Sequence, residues 1–277
     1  MARKGQEAAF TFKLYPTAEQ TKGLISSKVM MNGEVYSKSR TLIAYDHIPT
    51  QTVFQNAEAQ VVRLDIKTEG KNIGYLMGAG DEIPAALGQI GYEVTLLEDS
   101  DMNLTRLQDF DAIILGVRAY NTIERLSVYQ PILMQYVEQG GTMVVQYNTH
   151  RRLKVPMEEL APYPLKISRD RVTVEEAEVT ILAPNHPVMT TPNAISTADF
   201  EGWVQERGLY FPNEWADEYT PILSAHDPGE PARNGGLLVA EYGKGHYVYT
   251  GYSWFRELPA GVPGAFRIFA NLISLGN

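Results

Sequence analysis

From residue 71 onward, short apolar runs alternate with segments of helical periodicity. Residues 73–77 and 92–97 are apolar runs typical of buried strands, and Asp81 is positioned between them to cap a helix. Residues 111–116 and 140–146 form two further β-branched runs. The segment between those two runs has apolar residues at helical spacing, at Leu126, Leu133, Tyr136 and Val137. This alternation predicts a mainly parallel, flavodoxin-like sheet with helices on both faces.

The pattern becomes irregular between residues 150 and 235, where prolines are frequent. We expect this region to cover one edge of the sheet, with short strands at 171–174 and 178–182. Two apolar runs around a Gly243-Lys244-Gly245 turn, followed by a helical segment from about residue 264 to 275, predict a hairpin and a closing helix.

The first 70 residues have a different pattern. Runs rich in Val, Ile, Tyr, Phe and Thr at 8–15, 24–31, 34–45 and 60–66 predict antiparallel strands, with a polar loop over 51–59. Charge changes at the same place, from a net +2 over residues 1–70 to −11 over the remainder. The sequence therefore predicts a small β-domain at 1–70, sandwich-like or the tail of one, and an α/β domain at 71–277.

Composition excludes several functions. A net charge of −9 argues against a protein that grips nucleic acid or anionic lipid, because both need a basic face. The absence of cysteine excludes disulfides, thiolate metal sites and cysteine nucleophiles. No apolar run predicts a membrane span or a signal peptide. Location stays open: periplasmic or secreted if the chain belongs to a larger exported protein, otherwise cytoplasmic.

Polar side chains follow the strands at 111–116 and 140–146. In parallel sheets, ligands bind beyond the carboxyl ends of the strands, so this edge is the predicted ligand site. Two stretches rich in aromatic and charged residues, 199–210 and 254–257, are expected at the same edge. Such residues are equally compatible with sugar recognition and with salt bridges that anchor a long loop. The predicted ligand-binding residues are Asp81, Arg118, Tyr120, Asn121, Gln146, Tyr147, Asn148, Glu206, Arg207, Arg256 and Glu257.

Other motifs carry less weight. The loop from Gly78 to Asp81 has two glycines of a dinucleotide fingerprint, but the third position is Ile83. Ser253 lacks the second glycine of a nucleophile elbow. No histidine has the spacing of a metal ligand pair, so neither a metal nor a cofactor is predicted.

As a set, the strand ending at Arg118, the Gly140-Gly141 strand, His186-Pro187-Val188 and residues 243–251 resemble the class I glutamine amidotransferase-like superfamily, in particular its ThuA-like branch. The resemblance covers residues 71–277 and implies that fold. Six motifs also resemble the C-terminal region of large bacterial PIG-L-type de-N-acetylase proteins, at 45–49, 78–81, 118–121, 146–149, 206–211 and 255–261.

The sequence departs from the catalytic motifs of both families. The amidotransferase nucleophile is a cysteine between glycines, whereas the nearest equivalent here is Tyr147, so glutamine hydrolysis is not expected. The de-N-acetylase domain of the PIG-L-type proteins carries an Ala-His-Pro-Asp-Asp zinc motif, which does not occur in this sequence.

Three functions follow from these observations. The first is a non-catalytic module that binds a carbohydrate or another small polar ligand, accessory to a sugar de-N-acetylase domain of the same protein. The second is a hydrolase of sugars that uses carboxylates such as Asp81, Glu206 or Glu257, with Arg118 as an electrostatic stabiliser. The third is a purely structural or oligomerising domain, favoured if the chain's own side chains fill the strand-end cleft.

Overall fold

The computed structural model describes residues 8–15, 18–19 and 21–276, which divide into two compact units between Asp65 and Ile66. No helix in these described residues is both long enough and apolar enough to cross a bilayer.

The N-terminal unit is built from antiparallel strand pairs. Strand β1 pairs with β6, β4 with β5, and β2 with β3 through a tight turn at Asn32 and Gly33, both of which have positive φ. Hydrogen bonds from Ser27 N to Ala57 O and from Ala57 N to Ser37 O join the pairs at one junction. The strands are β1 (Thr21–Ser26), β2 (Val29–Met31), β3 (Glu34–Tyr36), β4 (Lys38–Ile43), β5 (Gln51–Asn56) and β6 (Glu58–Arg63).

The antiparallel strands predicted here are present, but their bounds differ. The predicted loop over 51–59 contains strand β5 and the start of β6, and the predicted strand over 34–45 is two strands. Residues 8–15 pair with no strand in the described part of the chain, and Phe10 is 80% exposed. Two-stranded pairs have no buried face, so the polar strand β5 lacks the apolar alternation that sequence reasoning relies on.

The C-terminal unit is a mixed α/β unit. Its strands are β7 (Asn72–Leu76), β8 (Glu93–Leu96), β9 (Ala112–Leu115), β10 (Thr142–Gln146), β11 (Leu165–Val172), β12 (Val179–Ile181), β13 (Gly208–Trp215), β14 (Thr220–Pro221), β15 (Leu223–Ala225), β16 (Leu237–Tyr242) and β17 (Gly245–Thr250). Its helices are α1 (Ile83–Gln89), α2 (Leu104–Leu107), α3 (Ala119–Thr122), α4 (Leu126–Glu138), α5 (Pro187–Thr190), α6 (Trp254–Glu257) and α7 (Pro263–Ile273), with 3-10 turns at Asp99–Asp101, Met157–Glu159, Thr197–Phe200 and Ser274–Gly276.

Seven of these strands form one sheet in the order β14-β16-β17-β10-β9-β7-β8. The five strands from β17 to β8 are parallel to one another, whereas β16 is antiparallel to both of its neighbours. Numbered along the chain, the parallel strands have the order 2-1-3-4-5, which is a doubly wound order. The predicted mainly parallel sheet is thereby confirmed.

The sheet forms because its central strands are apolar on both sides. Every residue of β9 and β10 is buried, as expected for parallel strands that are covered on both faces. Helix α4 places Leu133 and Tyr136 in one buried cluster with Met143 and Val145 of β10, and α7 also contacts β10.

The irregular region contains more strand than predicted. Strand β11 starts at Leu165 rather than at residue 171, and it pairs with β13, which sequence reasoning did not predict. Strand β13 begins within the charged stretch 199–210, and its pairing with β11 is interrupted by register shifts, so its apolar alternation is weak.

Candidate functional site

The loops after β9 and β10 lie side by side at the carboxyl edge of the sheet. Arg118 follows β9, and its backbone N donates a hydrogen bond to the carbonyl of Tyr147, which follows β10, at 2.9 Å. Arg118 has a φ of 59°, in the left-handed region that non-glycine residues rarely adopt. Such strained residues concentrate at functional sites, and here the strain lies directly beside the strand ends.

Four aromatic rings lie around the end of β10. The Tyr147 ring stacks on Tyr210 with centroids 6.0 Å apart and an interplanar angle of 8°. Phe255 lies 5.4 Å from Tyr147 at a tilted angle, and His150 lies 6.2 Å from Tyr210. Tyr210 also has a positive φ of 54°. The half-buried Tyr147 therefore presents an aromatic surface at this edge.

Charged groups surround these rings. Arg256 Nε lies 2.8 Å from Glu206 Oε1, and the Arg256 guanidinium lies 4.8 Å from the Phe255 ring centroid. The Arg118 side chain is exposed and has no hydrogen bond or ion pair within the described residues. We refer to the following residues as the Tyr147 cluster: Arg118, Tyr147, Glu206, Tyr210, Phe255 and Arg256.

The Tyr147 hydroxyl is protonated at neutral pH. Burial is the main cause that raises the pKa of Tyr147, and Glu206 raises it further, against the opposing effect of Arg118 and Arg256. The phenol is thus a hydrogen-bonding group rather than an anionic nucleophile at pH 7. The cluster can stack against a ring and bond polar groups around it.

Three of the predicted ligand-binding residues, Tyr120, Asn121 and Asn148, bond to the protein itself. Asn148 Oδ1 accepts a hydrogen bond from Tyr120 N at 2.9 Å, and the Tyr120 hydroxyl donates to Gln130 Oε1 at 2.7 Å. The Asn121 amide bonds the backbone of the loop after β10 at Thr149 and Arg151. These side chains hold the loops that carry Arg118 and Tyr147.

Gln146 and Asp81 belong to a second hydrogen-bonded chain. Gln146 Nε2 donates to the Tyr75 hydroxyl at 2.9 Å, and that hydroxyl donates to Asp81 Oδ1 at 2.6 Å. Asp81 also accepts from the backbone N of Ile83 and of Val117. The carboxylate therefore pairs with the first backbone N–H of α1 and with one backbone N–H of the loop after β9.

Gly78 explains the glycine pattern of this loop. A Cβ at Gly78 would lie 2.1 Å from the Val117 carbonyl oxygen, and Ala79 N donates to the same oxygen at 2.7 Å. The backbones after β7 and β9 thus touch at the point where the strand order reverses, which is where doubly wound sheets commonly bind ligands. The glycine serves close packing between two loops.

Arg207 and Glu257 are buried behind the Tyr147 cluster. Arg207 is 4% exposed and donates to the carbonyls of Ala177 and Phe200. Glu257 is fully buried, and its Oε2 accepts from Val204 N at 3.0 Å. Burial, as the main cause, raises the pKa of Glu257 to about 8. The Arg207 side chain cross-links two segments of the irregular region, and the Glu257 side chain bonds that region to α6. Their predicted contact with a ligand stays a prediction.

The structure brings Arg118, Tyr147, Glu206 and Arg256 together, and their binding of a ligand stays a prediction. Tyr210, Phe255 and His150 were not among the predicted ligand-binding residues. The first two lie in the aromatic stretches 199–210 and 254–257, so that signal was present in the sequence. Within the described residues, no group of three or more His, Asp or Glu side chains could hold a metal ion.

No protein-family model matches this chain, and no curated protein matches it. Solved structures with a similar backbone include a protein from Thermoplasma acidophilum that is provisionally described as one of the subunits of GMP synthase. It is 9% identical, with a TM-score of 0.47, and the match covers 75% of this chain and 96% of that chain.

Two further structures are provisionally described as ThuA-like. The one from Bacteroides uniformis is 14% identical with a TM-score of 0.46, covering 73% of this chain and 89% of that chain. The one from Parabacteroides merdae is 11% identical with a TM-score of 0.42, and the match covers 75% of this chain and 92% of that chain. The similar structures thus include the two groups that the motifs resemble, whereas none of these comparisons bears on the PIG-L-type proteins. The similarity carries no argument about activity, so the function is argued from the site.

Proposed function

We propose that the C-terminal unit is a non-catalytic binding module that holds a small polar ligand, a carbohydrate first of all, at the Tyr147 cluster. The observation that carries this proposal is the half-buried Tyr147 ring, flanked by two aromatic rings and by the Arg118 guanidinium, which has no hydrogen-bond or ion-pair partner among the described residues. Aromatic rings stack on the apolar face of a sugar ring, and guanidinium and carboxylate groups form hydrogen bonds with its hydroxyl groups.

An accessory role beside a sugar de-N-acetylase domain belongs to the same proposal. It rests on the six motifs that resemble the PIG-L-type proteins. Four of them, at 118–121, 146–149, 206–211 and 255–261, contain all the residues of the Tyr147 cluster.

The carboxylate hydrolase is the weaker candidate. Glycosidic hydrolysis needs two carboxyl groups that face one pocket, one protonated and one ionised. Asp81 accepts hydrogen bonds from Tyr75 and two backbone amides, Glu206 is paired with Arg256, and Glu257 is fully buried. The three carboxyl groups are thus bonded or buried within the protein, which favours a binding role over hydrolysis.

A structural role is the second candidate, favoured by the predicted ligand residues that bond to the protein itself. Arg118→Ala separates it from binding. In a binding site, the variant is expected to weaken the affinity for the best ligand of a glycan microarray by about 1–3 kcal/mol, the usual cost of a lost charge-assisted hydrogen bond. The melting temperature should change little, since Arg118 has no protein partner within the described residues.

Calorimetric titration and thermal unfolding of the same variant provide the measurements. Arg169→Ala is the matched control, because Arg169 is an exposed arginine on β11. A large fall in melting temperature for Arg118→Ala, with no glycan bound by the parent protein, would support the structural role and sink the binding proposal.

A further inference from the structure

The charged groups of the Tyr147 cluster do not balance one another. At neutral pH Arg118 and Arg256 are positive, whereas Glu206 carries the single negative charge of the cluster. Glu206 Oε1 accepts hydrogen bonds from Arg256 Nε at 2.8 Å and from the Ser253 hydroxyl at 3.3 Å, so this carboxylate is already paired. The Arg118 guanidinium has no partner among the described residues. The cluster therefore retains one uncompensated positive charge.

This positive charge is local, because the domain that carries it is acidic. Residues 71–277 have a net charge of −11, yet residues 147–156, which follow β10, include no Asp or Glu. Three exposed arginines in the loops after β9 and β10 have no ion pair in the part of the chain that the structure describes: Arg118, Arg151 and Arg152. The carboxyl edge of the sheet thus differs in charge from the rest of the domain.

The Tyr147 hydroxyl reports the sign of the electric potential inside the cluster. After burial, which raises the pKa of Tyr147, the largest influences are Arg118 and Arg256, and both lower it. Each of them has a larger effect than Glu206, which raises the same pKa. The charged groups together therefore favour negative charge beside this hydroxyl. Because the Tyr147 side chain is half-buried, solvent ions screen this field less than at a fully exposed position.

The cluster also has free donors for an anionic group. Only Nε of the Arg256 guanidinium bonds to the protein, and its two terminal nitrogens have no hydrogen bond within the described residues. The whole Arg118 guanidinium is free, and the 2.9 Å bond from Arg118 N to the Tyr147 carbonyl fixes its backbone beside the ring. The N–H groups of a guanidinium can form two parallel bonds to a planar carboxylate. A carboxylate can therefore bind without displacing Glu206.

We infer that the ligand of the Tyr147 cluster is an acidic sugar, a hexuronic acid whose carboxylate is bound by Arg118 and Arg256. The inference rests on the proposed function and names its ligand class. The pyranose ring stacks on the accessible part of the Tyr147 ring. Its hydroxyl groups donate to Glu206 Oε2, which has no partner among the described residues. A neutral sugar would leave the positive charge of the cluster uncompensated.

Calorimetric titration of the full chain with matched pairs of sugars tests the inference. The pairs are the methyl glycosides of glucuronic, galacturonic and mannuronic acid and those of glucose, galactose and mannose, which carry a hydroxymethyl group in place of the carboxylate. At least one uronide is expected to bind about tenfold more tightly than its neutral partner, because only the uronide forms charge-assisted bonds to both arginines. Raising NaCl from about 50 mM to about 500 mM should weaken uronide binding and leave neutral sugars unaffected.

Three variants separate recognition of charge from stacking. Arg118→Gln is expected to lower uronide affinity about tenfold and to remove most of the preference over the neutral partner. Tyr147→Ala should instead weaken both members of a pair, since stacking does not depend on the charge of the sugar. Arg169→Gln, at an exposed arginine on β11, is the matched control and should change neither affinity.

Failure of this inference and failure of the proposed function give different results. Equal affinities for uronides and their neutral partners would overturn the acidic ligand and leave carbohydrate binding in place. An unchanged preference in Arg118→Gln, with its fold verified by circular dichroism, would do the same. Tighter binding of glucose 6-sulfate than of any uronide would overturn the assignment to a carboxylate. Absence of binding by all six glycosides and by every glycan of the microarray would overturn both proposals.

Discussion

Replacing Arg207 with methionine is expected to lower the free energy of unfolding by about 3–5 kcal/mol. The guanidinium makes three hydrogen bonds, two to the Ala177 carbonyl and one to the Phe200 carbonyl, and lies 5.2 Å from the Trp203 ring centroid. Methionine fills a similar length but donates nothing. Two carbonyls of the irregular region would then lose these bonds in a region from which water is largely excluded.

Urea unfolding at pH 7 measures this effect, with Arg256→Met as the matched control. Arg256 is bonded to Glu206, and its side chain is 33% exposed, so the loss there should be about 1 kcal/mol or less. Equal, small losses for the two variants would show that Arg207 does not hold the segments of the irregular region together. In that case, the proposed ligand contact of Arg207 would become the better account of its position.

Replacing Glu257 with glutamine is expected to remove a pH dependence of stability between about pH 4.5 and 8. Burial raises the pKa of the Glu257 carboxyl from its usual value near 4.5 to about 8. In this range the folded state retains a proton that the unfolded state has released, so the free energy of unfolding falls as the pH rises. A shift of this size corresponds to about 3–5 kcal/mol across the range.

Glutamine keeps a side-chain oxygen that can accept the hydrogen bond from Val204 N, but it does not titrate. The variant should therefore gain stability relative to the parent protein as the pH rises from 5 to 8.5, in urea unfolding followed by tryptophan fluorescence. Glu201→Gln, at an exposed position, should leave the slope of the parent protein in place. A variant whose stability follows the parent's at every pH would mean that Glu257 is ionised in the folded state.

The strands of the sheet were predictable because burial leaves a direct mark on their residues. A parallel strand covered on both faces requires a continuous apolar run, and β9 and β10 are buried at every position. Strands β5 and β13 lack that requirement. The first lies in a pair without a buried face, and the second mixes buried and exposed residues under an irregular pairing.

The candidate site was predictable in position but not in its inner arrangement. Strand ends in a parallel sheet meet at one edge, which is enough to place Arg118 and Tyr147 near each other. Their neighbours Tyr120 and Asn148 have equally polar groups, yet they bond inside the protein. Glu206 and the adjacent Arg207 differ in the same way. Glu206 pairs with Arg256 in the Tyr147 cluster, whereas Arg207 is buried.

The amino-acid sequence by itself determined the parallel sheet and the edge at which polar side chains collect, because periodicity and strand polarity are local properties of the chain. Only the tertiary structure decided which of two adjacent polar residues turns inward, since that depends on carbonyls far away in the chain, such as Ala177 for Arg207. It alone also joined Glu206 and Arg256, fifty residues apart, in one ion pair. Contacts of this kind follow from packing, which no spacing along the chain records.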